Sequence, residues 1–260
     1  MKVVILCGGQ GTRLREETEF KPKPMVEIGG RPILWHIMKI YSFFGFNDFI
    51  LCLGYKGEKI KEYFLNYQTS RNDFTIDLGH SSKITYHGRS ERNRWKITLA
   101  DTGIENQTGA RLKLIERYVD TPDFMVTYGD GVANIAINKL VHFHQKHGKT
   151  ATVTGVRPPS RFGELLIKDD RVVDFNEKPA ISGGYINGGF FVFNKKIFQY
   201  LSKNANCALE RDPLVKLSGA GQLMVYCHQE FWQCMDTYRD LQFLERCWQE
   251  QKIPWKIWND

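Results

Sequence analysis

No stretch of this chain approaches the roughly eighteen consecutive apolar residues of a membrane-spanning helix. Nothing at its start joins an apolar segment to a small-residue cleavage site, so a cytoplasmic protein with no membrane partner is expected. None of the six cysteines, at positions 7, 52, 207, 227, 234 and 247, stands in a Cys-x-x-Cys pair, which removes the usual sign of structural zinc or a redox centre. Reduced thiols are expected. The formal net charge is +7, yet no Lys/Arg-rich tract with interleaved aromatics occurs. Nucleic acid is therefore not an expected partner, and a substrate with several phosphates accounts for the excess equally well. Repeats and low-complexity segments are absent too. What remains, 260 residues at 42% hydrophobic and 13% aromatic, suffices for one compact unit with a substantial core.

The most informative segment is Leu6-Cys7-Gly8-Gly9-Gln10-Gly11-Thr12-Arg13-Leu14, followed by Lys21-Pro22-Lys23-Pro24-Met25. Val3 to Leu6 is a short apolar run with β-branched residues, as in a strand buried on both faces of a parallel sheet. The loop thus begins at a strand's carboxyl end. Its glycines lack the Cβ atoms that would hold a triphosphate off the main chain, so successive N–H groups can form an anion-binding nest. Arg13 and Lys23 add full positive charge. A Walker loop would need Lys after the last glycine, and a dinucleotide fingerprint would need Gly or Ala at position 14, which is Leu. The remaining alternatives are a nucleoside triphosphate cradle or a plain tight turn.

Periodicity predicts a doubly wound α/β fold with a Rossmann-like, mixed and mainly parallel sheet. Apolar positions from 33 to 44 mark a helix stopped by Gly45, and Phe49 to Leu53 a buried strand. Further helices are expected at 59–67, 110–119, 195–202, 210–218 and 238–250. Strands are expected at 124–128, 151–156, 164–167, 172–175 and 190–193. Residues 68–99 read as hairpins on an excursion from the sheet. One domain over 1–260 is expected, in two halves that divide at about residue 135. Ligands should sit beyond the carboxyl ends of the strands.

Asp130, between two glycines after the strand 124–128, reads as a turn former or as a magnesium ligand. Asp236, after an apolar approach, reads as a helix N-cap or as the second carboxylate. Arg111 is either a solvated helix-face residue or a donor that helps read a base or ribose, a donor-only guanidinium favouring an edge that accepts, such as N3 and O2 of cytosine, over the N3–H of uracil. His142, His144 and His147 suggest metal less than structure, since positions two apart diverge around a helix. Trp232, Trp248, Trp255 and Trp258 suit packing on the domain or a subunit interface.

Gly-Gly-x-Gly-Thr-Arg-Leu with a downstream Lys-Pro resembles the signature of the sugar-1-phosphate nucleotidyltransferases. Lys23 to Gly30, Ile33 to Met38, Thr127 to Val132, Ile186 to Phe191 and Met235 to Thr237 are similar to the glucose-1-phosphate cytidylyltransferase branch in particular. The likeness spans nearly the whole chain. It departs at Cys7, where a small residue is common, and over residues 204–211.

The resemblance implies a nucleotide site built from Leu6, Cys7, Gly8, Gly9, Gln10, Gly11, Thr12, Arg13, Lys23, Arg111 and Gly129. It implies sugar and sugar-phosphate contacts from Glu177, Lys178, Asn187 and Gly188, and Mg2+ held by Asp130 and Asp236. Arg13 and Lys23 would be the catalytic cations and CTP and glucose 1-phosphate the substrates, in a homo-oligomer feeding bacterial O-antigen polysaccharide. Uridylyl or thymidylyl transfer is the nearest alternative. A silent nucleotide-binding regulatory subunit would lack the carboxylates or loop cations that this chain keeps.

Overall fold

The computed structural model describes residues 1–79, 83–87, 93–158, 164–168, 171–176 and 184–259. Seven strands make the central sheet: β1 (Val3–Cys7), β2 (Asp48–Leu53), β3 (Lys96–Asp101), β4 (Asp123–Tyr128), β5 (Ala151–Val156), β6 (Ile186–Asn194) and β7 (Leu223–His228). Their spatial order is β7-β5-β6-β4-β1-β2-β3. Neighbours are parallel except around β6, which is antiparallel to both β4 and β5. Helices α1 (Ile33–Phe43), α2 (Gly57–Leu65), α3 (Thr108–Leu114), α4 (Ile137–His147), α5 (Asp212–Gly219) and α6 (Tyr238–Gln249) cover its faces. This is the mixed, mainly parallel, doubly wound α/β fold that the periodicity predicts.

All five residues of β1 are buried, because side chains alternate between two cores. Val3, Ile5 and Cys7 enter the core shared with α1, α4 and α6, and Val4 and Leu6 enter the one shared with α3 and α5. β1 therefore lies in mid-sheet with its carboxyl end opening between β2 and β4.

Three expectations are corrected. Lys96–Asp101 pairs in parallel with β2, so the excursion is shorter than residues 68–99. The predicted helices at 110–119 and 195–202 shrink to Thr108–Leu114 with a 3-10 turn at Glu116–Tyr118, and to a 3-10 turn at Lys195–Gln199. Strands Glu164–Lys168 and Arg171–Asn176 form their own two-stranded sheet rather than joining the central one. Among the described residues no helix is long and apolar enough to cross a membrane.

Trp255 and Trp258 are buried within the same chain, around His36 of α1. His36 Nε2 lies 2.9 Å from the Ile28 carbonyl and Trp255 Nε1 lies 3.3 Å from His36 Nδ1. The indole can only donate, so Nδ1 accepts and the imidazole is the neutral Nε2–H tautomer. Burial first of all, helped by the charges of Arg31 and Lys256, pulls its pKa down to about 4, against the opposing pull of the Ile28 and Arg31 carbonyls.

A depressed histidine pKa means that the unfolded chain binds the proton more readily. The stability held by neutral His36 is therefore present above the unfolded value near 6.5 and is lost as pH falls from there toward about 4. The loss is about 2 kcal/mol between pH 7 and pH 5. Urea midpoints at the two pH values, compared between wild type and His36→Gln, check this. An equal acid loss in the variant shows that another group is responsible.

Candidate active site

At the carboxyl ends of β1 and β4 lies a cleft of about 520 Å³. Residues 6 to 13, Lys23, Arg111, Gly129, Asp130 and Asp236 all line it, so most of the residues named from sequence share one wall system. Leu14 N–H and Thr18 Oγ1 donate to the Gly11 carbonyl at 3.0 and 3.1 Å. Tyr55 N–H and the Arg111 guanidinium donate to the Gly8 carbonyl at 3.2 and 2.9 Å. In a trans peptide the next N–H points opposite to the carbonyl. The amides of Gly9 and Thr12 are therefore turned away from these internal partners, which gives the loop its capacity for an anion. Gly11 has φ +65°, the left-handed region in which a side chain is strained, and its position closes the loop into the turn Thr12–Leu14.

Lys23 stands on a 3-10 turn, Lys23–Met25, between two prolines. Its ammonium bonds Asp130 Oδ2 at 2.7 Å and Asp236 Oδ1 at 2.6 Å, with the lysine side chain only 11% exposed. Arg13, 74% exposed at the mouth, bonds the other Asp236 oxygen at 2.9 Å. Burial alone would lower the Lys23 pKa, but the Asp130 and Asp236 carboxylates outweigh it and hold the ammonium above its ordinary value.

A small antiparallel ribbon brings the two aspartates together. Gly131–Ala133 pairs with Trp232–Cys234, and Met235 N–H donates to the Asp130 carbonyl at 2.8 Å. The N-cap of α6 is Thr237, which forms a capping box with Asp240. Asp236 is thereby relieved of the capping role and faces the cleft.

The two carboxylates share one nitrogen, so their oxygens lie no further apart than two hydrogen bonds in line. That separation, hard oxygen chemistry and an open phosphate cradle alongside fit Mg2+, which usually takes one or two carboxylates and completes its shell with phosphate oxygens and water. Among the described residues no group of three or more His, Cys, Asp or Glu is placed to hold a metal by itself.

The solvated helix-face reading of Arg111 is corrected, although the residue does line the cleft. It is 4% exposed rather than solvated. Its terminal nitrogens donate to the carbonyls of Gly8, Leu53, Gly103 and Ile104 and to Thr102 Oγ1, at 2.6 to 3.1 Å. Those terminal nitrogens are engaged with four main-chain carbonyls and one hydroxyl. The geometry makes Arg111 a clamp that fixes the glycine loop to the carboxyl ends of β2 and β3.

Of the residues expected to meet the sugar, Asn187 Nδ2 donates to the Tyr128 hydroxyl at 3.1 Å, and the Gly188 carbonyl accepts from Trp232 Nε1 at 2.8 Å. Glu177 and Lys178 lie outside the described residues. Sequence reasoning missed Tyr128, Thr108 and Glu210. The Glu210 carboxylate accepts from the Tyr128 hydroxyl at 2.5 Å and from Thr108 Oγ1 at 2.6 Å, tying two cleft-lining side chains together. Tyr128 could have been read from its place at the end of a buried strand; Glu210 carries no local signal.

All six cysteines are free thiols. Burial pushes Cys7 well above its ordinary pKa, and burial followed by the charge of Asp236 pushes Cys234 up to about 12. Neither is a thiolate nucleophile. His144 Nδ1 and His147 Nε2 both meet Thr152 Oγ1, at 2.8 and 2.7 Å, and neither is among the residues that line the cleft.

The nucleotidyl transferase family model matches residues 2–260. Glucose-1-phosphate cytidylyltransferase of Salmonella typhimurium (strain LT2) and that of Salmonella typhi are each 51% identical over 260 residues, covering 100% of both chains. Among solved structures, HddC from Yersinia pseudotuberculosis superposes with a TM-score of 0.68 at 24% identity, covering 95% of this chain and 99% of that one, and supports the fold. The chain belongs to the nucleotidyl transferase family and groups there with the glucose-1-phosphate cytidylyltransferases.

Proposed function

We propose that this enzyme transfers CMP from CTP to α-D-glucose 1-phosphate, giving CDP-glucose and pyrophosphate. The observation that carries the reading is the meeting of Lys23, Arg13, Asp130 and Asp236 at the lip of the glycine loop, in a chain 51% identical to the Salmonella enzymes of that name.

The sugar phosphate is already an anion, so no general base is needed to make it a nucleophile. The barrier lies in bringing two anions together and in stabilising charge on the departing pyrophosphate, in line with the attacking oxygen. Asp130 and Asp236 would hold Mg2+, which when bound supplies charge neutralisation at the phosphates. The amides of Gly9 and Thr12 bind triphosphate oxygens. Lys23 serves the α-phosphate, where charge grows in the transition state, and Arg13, free to swing at the mouth, serves the β- and γ-phosphates. Lys178 and Glu177 take the sugar phosphate and sugar, with Asn187 and Gly188 at the pyranose. The neutral thiols of Cys7 and Cys234 favour direct transfer over a covalent intermediate.

The same reading places the nucleotide in the half at about residues 1–135 and the sugar in the half at about 136–260, in a cytoplasmic enzyme without nucleic acid or membrane partners. It includes homo-oligomeric assembly. Supporting that, the hairpin Asp73–Asp77 with Lys83–His87 pairs Phe74 with Tyr86 and Ile76 with Ile84, and all four are exposed. Two-stranded ribbons of this kind are marginal alone.

Pyrophosphate release measured with each of four nucleoside triphosphates against several hexose 1-phosphates tests the function. The expected result is fastest release with CTP and glucose 1-phosphate. A preference for UTP or dTTP moves the chain to the uridylyl or thymidylyl branch, and silence with all pairs removes the activity.

A further inference from the structure

In the free protein the seat between Asp130 and Asp236 is taken by a cation of the chain itself. The Lys23 ammonium bonds both carboxylates, and the guanidinium of Arg13 bonds the remaining Asp236 oxygen. A divalent ion arriving alone would have to displace a largely buried positive charge, where attraction is much stronger than in water. It would gain two protein carboxylates and, among the described residues, no group of three or more acidic, His or Cys ligands.

We propose that Lys23 is an internal counter-ion that keeps the metal carboxylates occupied until the nucleotide arrives, so that divalent cation and nucleotide load together. This rests on the functional reading above. Triphosphate supplies what the lone ion lacks: oxygens to complete the metal's shell and a new anionic partner for Lys23.

The structure confines the exchange to the side chain. Pro22 and Pro24 flank Lys23, and the turn is closed by Met25 N–H to the Pro22 carbonyl at 2.8 Å and Val26 N–H to the Lys23 carbonyl at 3.1 Å. The backbone stays fixed while a flexible four-carbon stem carries the ammonium from carboxylate to phosphate. One residue thus neutralises the empty site and then the loaded one, and the loop never presents two uncompensated carboxylates to an incoming polyanion.

The test is Mn2+ binding to nucleotide-free protein, followed by electron paramagnetic resonance of the free ion. Lys23→Met is expected to bind Mn2+ about tenfold more tightly than wild type, the scale of losing one charge-assisted competitor. Lys23→Gln, which keeps a hydrogen-bond donor but no charge, should show the same gain, and adding Asp130→Asn to Lys23→Met should abolish it. Equal Mn2+ affinity in wild type and in both folded single variants overturns the proposal, as does a gain that survives Asp130→Asn. The readout needs no turnover. A wild type that releases no pyrophosphate from CTP yet keeps the Mn2+ difference sinks the functional reading and leaves the counter-ion role standing.

Discussion

Lys23→Ala lowers the turnover number by about a hundredfold or more, the scale of removing one preorganised charge contact from a transition state. The loss falls on kcat rather than on the KM for CTP. In the free enzyme Lys23 is committed to the two carboxylates, and its contact with the α-phosphate is worth most where negative charge is building. On the proposed reading, ground-state nucleotide affinity would be spread over the loop amides and Arg13, which remain. The substitution also removes the ammonium that bridges Asp130 and Asp236, so melting curves accompany the kinetics. A divalent ion at millimolar concentration should restore the melting temperature without restoring kcat. Near-normal kcat removes Lys23 from the reaction, and a purely KM-type defect makes it a binding residue.

The legible part of this molecule was the part written locally. An unbroken apolar strand, glycines that end it and two nearby cations mark, within a few residues, the loop that lines the cleft, because strand burial and a glycine turn both act over short spans. Strand β3 was concealed by its position. It is an edge strand whose Lys-Ile-Thr-Leu-Ala-Asp alternation reads like an exposed hairpin, and only pairing with β2 assigns it to the sheet.

The convergence of Lys23 with Asp130 and Asp236, 107 and 213 positions away, has no sequence signal at all. Family resemblance implies only that the two aspartates pair, and the structure supplies the physical means, the ribbon that pairs Gly131 with Cys234 and the Thr237 cap that frees Asp236. Glu210 shows the converse limit. It comes from the stretch where the likeness to the family is weakest, and its two short bonds to Tyr128 and Thr108 are visible only in three dimensions.

Arg111→Ala destabilises the protein by about 3 kcal/mol or more, since it strips a charged partner from four carbonyls and one hydroxyl, most of them buried. It also raises the KM for CTP about thirty- to a hundredfold, because the Gly8 carbonyl loses its anchor and the amide beyond it is no longer held in place for the triphosphate. Lysine does not rescue the position. One ammonium with three donors cannot reach carbonyls on three separate loops, which the planar guanidinium spans. Gly8→Ala provides an independent route to the same defect: an added Cβ would lie 2.1 Å from Arg111 Nη1 and 2.3 Å from its Cζ, so the clamp must move. In both variants the ratio of CTP to UTP turnover should stay at its wild-type value, since the clamp addresses main chain and not the base. Should Arg111→Ala keep its stability and its CTP affinity but lose the preference for CTP, the guanidinium reads cytosine after all, and the loop owes its shape to the bonds from Tyr55, Leu14 and Thr18.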